Sequence, residues 1–199
     1  MSSLLKTLVE LERLKRLERT GWTLRGLPNS TESVGAHSFG VCVTAMLLAD
    51  ECVSRGVKVD LEKTLRIALL HDWSEVRVGD MPRTATSYFG AETRKRAETA
   101  AFGDVVDQLG SSSNYKELYQ DYEERRSIEA RLVKASDVID LLVEALALER
   151  AGHRGLDEFW EVTGQRNFQL DGVPQQVVNE VLDSLMKART DLQIAPLSR

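Results

Sequence analysis

Three histidines occur in this chain of 199 residues, and two of them, His37 and His71, fall on mostly apolar helical patterns. His71 is followed at once by Asp72, after Leu69 and Leu70 and before Trp73. At least one of the two polar groups must therefore lie against packed surface, where an unpaired charge is costly. Alone, the dipeptide also fits a charged pair finishing a helix, and His37 also fits a hydrogen-bonded core residue. Asp137 shifts that balance. It stands between Val133 and Leu141 at four-residue steps, in the most hydrophobic helical run of the chain, where a carboxylate needs a partner. A divalent cation is one sufficient partner, and Lys134 at i−3 is the plainer one. Two imidazoles and two carboxylates from three separate helices make a mixed nitrogen and oxygen donor set, which suits Mn, Fe, Co, Ni or Zn better than Ca or Mg. Four protein ligands leave positions on a six-coordinate ion open to water, which a metal turns into a nucleophile near neutral pH. Glu75, one turn after His71 on the expected helix, and Asp80, just after Gly79, could orient that water or carry a proton. An exposed helical residue and a turn former are the alternatives for these two.

The elements that must position these groups are helical throughout. No run shows sustained period-2 alternation of β-branched residues, so the chain is expected to be all-α, with about six to nine helices around a buried central site. An amphipathic helix is predicted from about Ser3 to Arg19, with Leu4, Leu8 and Leu11 along one side. Two glycines, a proline, Asn29 and Ser30 then predict a loop over 20–32, which holds Trp22 and Arg25. A second helix is predicted from near Ser33 to a stop at Gly56, its small residues allowing another backbone to come close. Asp60 reads as the N-cap of a third over LEKTLRIALLHDWSEV. Further helices are predicted over Ala91 to Leu109, over Tyr115 to Ala151, around Leu156 to Thr163, and from Pro174.

Composition agrees with one soluble domain over residues 1–199: 42% hydrophobic and 29% charged residues exclude both a membrane-embedded chain and a disordered one. The start alternates charge with leucine where a signal peptide carries one apolar block, which predicts a cytoplasmic protein with no membrane association. A net charge of −5, with bases interleaved among acids, argues against binding a nucleic-acid polymer. Cys42 and Cys52 lie ten apart on one helical pattern, too far for a disulfide.

His37, then His71-Asp72, then Asp137 on a helical chain of this size resembles the HD superfamily of metal-dependent phosphohydrolases. The strings RTGWTLRG (Arg19 to Gly26), TESVGAHS (Thr31 to Ser38), LLHDWSEVRVGDMP (Leu69 to Pro82) and LVKASDVIDLLVEALALE (Leu132 to Glu149) are similar to its 5'-deoxynucleotidase group, the YfbR-like and HDDC-two-like proteins. The resemblance implies an HD core over about 33–150 followed by C-terminal helices over about 156–192. It implies one divalent transition metal (Co, Mn, Ni, Fe or Zn) held by His37, His71, Asp72 and Asp137. It further implies removal of phosphate from nucleoside, and especially deoxynucleoside, 5'-monophosphates, with Glu75 acting beside Asp72 at the reacting water and Asp80 in the nucleotide site. The loop with Trp22 and Arg25 matches a substrate-holding stretch. Arg25 is the first candidate for the phosphate, Arg19 the second, and Trp22 is expected near the nucleoside, with a core-covering role as the alternative. A homodimer is the family expectation, drawing on the leucine-rich first and last helices. Other HD phosphohydrolase substrates, such as nucleoside triphosphates, cyclic nucleotides or a hyperphosphorylated guanine nucleotide, and a non-catalytic nucleotide sensor with a structural metal, are the competing readings.

Overall fold

A computed structural model describes residues 2–164 and 167–194, apart from the side chains of Arg83, Val162 and Thr163. Residues 1, 165, 166 and 195–199 of the expected domain lie outside the described residues. The chain is all-α, in the order α1 Ser3–Leu11, a 3₁₀ turn Glu12–Lys15, α2 Thr20–Thr23, α3 Val34–Ser54, α4 Leu61–Leu70, α5 Glu75–Val78, α6 Arg83–Phe89, α7 Ala91–Val106, α8 Ser112–Glu124, α9 Ile128–Arg150, α10 Asp157–Trp160, a 3₁₀ turn Glu161–Gly164, and α11 Gly172–Ile194. Among the described residues there is no strand, only an isolated antiparallel bridge between Glu18 and Ser33.

Expected helix starts are found with the expected chemistry. The Asp60 carboxylate accepts from Lys63 N at 3.0 Å at the head of α4, and Ser33 Oγ accepts from Ala36 N at 3.1 Å at the head of α3. Four expectations about boundaries are corrected. The first helix stops at Leu11 rather than Arg19, because the backbone of residues 17–19 is committed elsewhere: Arg19 N donates to Glu32 O at 3.0 Å and Val34 N to Leu17 O at 2.8 Å. The helix expected through HDWSEV ends at Leu70. The stretch expected to run unbroken from Tyr115 to Ala151 is two helices, interrupted where Arg125 takes a left-handed φ of 52° and Ser127 caps α9 through Ala130 N at 3.2 Å. Finally, two helices were not expected: α2, inside the loop expected over 20–32, and α6, with Pro82, which cannot continue a preceding helix, at its N-cap.

The described contacts divide the chain into two compact units, the first comprising residues up to Phe39 with Arg66–Glu124, the second Gly40–Leu65 with the chain from Arg125 onward. In the first unit α7 packs against α1, α5, α6 and α8. An aromatic stack organises this unit: Phe102 lies 4.0 Å from Tyr119 between ring centres, and Trp73 lies 6.3 Å from Phe102 and 5.9 Å from Tyr115. In the second unit α9 packs against α10 and α11. There α9 is buried nearly all round, as its sequence predicts, and Asp60 N donates to Glu129 Oε1 at 3.0 Å. At Gly40 the small residue makes room for a side chain rather than the backbone expected, since a Cβ there would collide with the Asp140 carboxylate. By length and mean hydropathy (21 residues, 1.3) α3 could cross a membrane, but Val34, His37, Val41, Ala45, Leu48 and Cys52 are buried along one side, the pattern of a core helix. The leucines of α1 are exposed at Leu4, Leu5 and Leu8, whereas α11 buries Val177, Val178 and Leu182.

The Ser127 cap holds the start of the long helix that carries Asp137. Ser127→Ala should lower stability by about 1 kcal/mol, read as a lower denaturant midpoint with an unchanged slope.

Candidate metal centre and the acids around it

The chain stops being helical at Leu70 for a reason that also builds the site. His71 Nδ1 donates to the Ala68 carbonyl at 2.7 Å, one of the last four carbonyls of α4. That bond closes the helix end and fixes the tautomer, leaving Nε2 as the lone-pair nitrogen. Residues 71–74 then run as turns, with Trp73 N donating to Leu70 O at 3.1 Å and Glu75 N to Asp72 O at 3.1 Å. Anchored in the aromatic stack, Trp73 sets the direction of Asp72, and the Tyr122 ring meets His71 edge-on at 5.6 Å.

His37, fully buried on α3, brings its ring to 5.6 Å from that of His71. Asp72 Oδ2 lies 3.1 Å from His71 Nε2 and 3.7 Å from His37 Nε2. Two ligands bonded at about 2.1 Å to one ion, at angles between 90° and 109°, stand about 3.0–3.4 Å apart. The His71–Asp72 separation falls in that range and the His37–Asp72 separation lies somewhat beyond it, with one donor atom from each of the three within 4.8 Å of the others. Buried His71 Nε2 and Asp72 Oδ2 have no hydrogen-bond partner, an arrangement that a cation resolves. The three residues therefore fit a divalent metal. The structure brings together these three of the four predicted ligands. Asp137 belongs to the second unit, where its carboxylate accepts from Lys134 Nζ at 2.7 Å. His153, the third histidine, is exposed.

Arg19 reaches the same acids. Its Nη1 lies 3.6 Å from Asp72 Oδ2 and 3.7 Å from Asp80 Oδ1, and its Nε lies 4.0 Å from Glu32 Oε2. The other oxygen of Asp80 accepts from Thr20 N at 2.6 Å, while Thr20 Oγ1 donates to the Asp80 carbonyl at 2.7 Å. Gly79, with φ at 77°, makes the turn that delivers Asp80 to this latch. Arg25, by contrast, lies half-buried past the end of α2, with Nη1 3.4 Å from the Leu24 carbonyl. Trp22 is only 1% exposed, and its Nε1 donates to Glu32 Oε2 at 2.7 Å. Its ring faces are spent on the core.

Charges in this cluster pull against one another. Burial pushes the Asp72 carboxyl up, but the imidazoles of His71 and His37 and the Arg19 guanidinium outweigh it and hold the group well below the usual carboxylate range. For Glu75, which is 4% exposed, burial and then the negative charges of Asp72 and Asp80 raise the pKa well above the ordinary value, only partly offset by Arg19 and Arg94. Glu75 opens α5 rather than sharing a helix with His71, and its buried Oε2 has no hydrogen-bond partner. Sequence reasoning missed Arg94, Tyr122 and Glu32. Only Glu32 had a visible signal, its place in the TESVGAHS string.

The HD domain model matches residues 11–172. The chain belongs to the HD-domain family. It is 30% identical over 165 residues to the human protein named 5'-deoxynucleotidase HDDC2, spanning 81% of this chain and 76% of the relative. A Schizosaccharomyces pombe relative named 5'-deoxynucleotidase hdd1 is 30% identical over 157 residues, 75% of each chain. Among solved structures, a conserved hypothetical protein from Pyrococcus furiosus superposes with a TM-score of 0.80 at 32% identity, over 92% of this chain and 99% of that one. An HD-domain phosphohydrolase from Listeria innocua shares the fold, with a TM-score of 0.66 at 18% identity over 96% and 98% of the two chains.

Trp22→Phe keeps a buried ring and deletes the donor to Glu32. A loss of about 1–2 kcal/mol in unfolding free energy is expected, the cost of a buried carboxylate oxygen without its N–H. A variant as stable as the parent would show that Glu32 finds another donor.

Proposed function

We propose that the protein is a metal-dependent phosphomonoesterase that hydrolyses deoxynucleoside 5'-monophosphates to nucleoside and phosphate. The observation that carries the reading is the convergence of His37 and His71 on Asp72, with a guanidinium, Arg19, at the same carboxylate. Two relatives at 30% identity named 5'-deoxynucleotidase give the substrate class.

In this reading His37, His71 and Asp72 hold the ion, and the mixed donor set favours Mn, Fe, Co, Ni or Zn. When bound, that ion lowers the pKa of water and offsets phosphate charge. Asp137 enters the proposal on its motif, LVKASDVIDLL, and would exchange Lys134 for the metal. Arg19, rather than Arg25, binds the phosphate, because it is the guanidinium placed at Asp72 and Asp80. Asp80 fixes the start of α2, and through it Arg19, and borders the nucleoside. Trp22 supports the loop from beneath. Water adds to phosphorus as the bond to the 5'-oxygen breaks, and the departing oxygen must gain the proton that the water loses. Glu75, buried beside Asp72 with an uncommitted oxygen, is the group that moves that proton.

A phosphate-release assay over deoxyribonucleoside and ribonucleoside 5'-monophosphates, with single metals added to stripped protein, tests the reading. Release from none of them would refute it. Glu75→Gln keeps shape and removes the proton carrier; metal content should persist while turnover falls about 100-fold or more. Asp137→Asn should cut metal content if Asp137 is a ligand. Full metal occupancy in that variant would leave Asp137 as the ion-pair partner of Lys134.

A further inference from the structure

Arg94, on α7, is a base that the site has not yet accounted for. Its side chain is 29% exposed, its Nε donates to Glu98 Oε1 at 2.6 Å, and its Nη1 donates to Thr86 Oγ1 of α6 at 3.4 Å. A guanidinium carries five N–H donors. Among the described residues, the two on Nη2 and the second on Nη1 make no hydrogen bond. α7 packs against α5, and the Arg94 charge acts electrostatically on both Glu75 and Asp72. Yet Arg94 forms neither a hydrogen bond nor an ion pair with either acid. Arg94 is thus a half-buried guanidinium on the helix that packs against the one Glu75 opens, with donors to spare for a ligand.

The charge balance says what should enter. Glu32, Asp72, Glu75 and Asp80 cluster about one guanidinium, Arg19, which three of them already share. One divalent ion and one shared arginine are little positive charge for a phosphate dianion arriving among four acids. We infer that Arg94 is a second phosphate-binding residue, its Nη edge joining Arg19 on the phosphoryl oxygens while Glu98 orients it from behind. The inference rests on the phosphomonoester reading and extends it with a residue from α7.

Binding of inorganic phosphate to metal-loaded protein, measured by titration calorimetry, tests this without turnover. Arg94→Met should weaken phosphate binding about tenfold or more, and Arg94→Lys should recover part of it, since a lysine keeps the charge and loses the fork. Glu98→Gln removes the internal ion pair but keeps the guanidinium; phosphate affinity within about threefold of the parent is expected. Loss of affinity in Glu98→Gln equal to that in Arg94→Met would mean that the pair acts only by holding α7 in place, and would overturn the inference. So would an Arg94→Met variant that binds phosphate like the parent, or a parent that binds none. If phosphate binding depends on Arg94 while no nucleoside monophosphate is hydrolysed, the inference stands and the phosphomonoesterase reading falls.

Discussion

Burying the Asp72 carboxylate is the constraint on which the site depends. A carboxylate withdrawn from water and left unpaired costs several kcal/mol or takes up a proton. The chain places two imidazoles and a guanidinium around this one, each from a different segment: His71 from the turn after α4, His37 from α3, Arg19 from the residues before α2. Each neighbour then needs its own support. His71 is fixed through Ala68, and Arg19 is fixed through Glu32 and Asp80. Asp80 is in turn latched to Thr20. The acid thus draws together residues from Arg19 to Asp80, and because the His71 nitrogen that faces it is an acceptor, a cation between them is what completes the arrangement.

That convergence also explains why α4 must end where it does. Consecutive residues on a helix point about 100° apart and do not face one another, so His71 and Asp72 could not both address one centre while helical. A turn brings them together. The imidazole that needs orienting is itself what closes the helix, through the Ala68 carbonyl, so one bond serves both purposes. Trp73, packed against Phe102 and Tyr115, then holds the turn against rotation.

The longer helices were legible in the sequence, because apolar periodicity, the Asp60 cap and the Gly56 stop are local signals, whereas the short α2 and α6 were not. The breaks were less so. α4 ends through a side chain bonding its own backbone, and the first helix ends through pairing of residues 17–19 with 32–34, a partner remote in sequence. Arg125 interrupts a helical pattern without the glycine that usually marks a left-handed residue. At the site, His37, His71, Asp72, Glu75 and Asp80 were legible because polar groups among apolar neighbours demand partners. The balance between Arg19 and Arg25 was not, since both flank the same short helix and only the fold decides which guanidinium meets the acids. Arg94 was invisible for the opposite reason: in AETRKRAE it is one base among several on a polar helix, with nothing to mark it as half-buried.

Comparison among the arginines separates two kinds of ion pair. Arg55 grips Glu180 with two bonds at 2.9 and 2.7 Å and Glu51 with a third at 2.7 Å, while Arg77 spans Glu10 and Asp104. Arg189 clasps Glu149 and lies over the Trp160 ring at 4.8 Å. Each of the three arginines makes at least one bond in the range of charge-assisted hydrogen bonds, about 2.7–2.9 Å, and adds further bonds, such as that of Arg77 to Asp104 at 3.1 Å. The acids around Arg19 stand at 3.6–4.0 Å, and Arg94 holds only its Nε edge tightly. The ion pairs of Arg19 with these three acids are longer than those that Arg55, Arg77 and Arg189 make. In the proposed reading a phosphoryl oxygen is what Arg19 and Arg94 await, and a charge already held in place by the fold is a form of preorganisation.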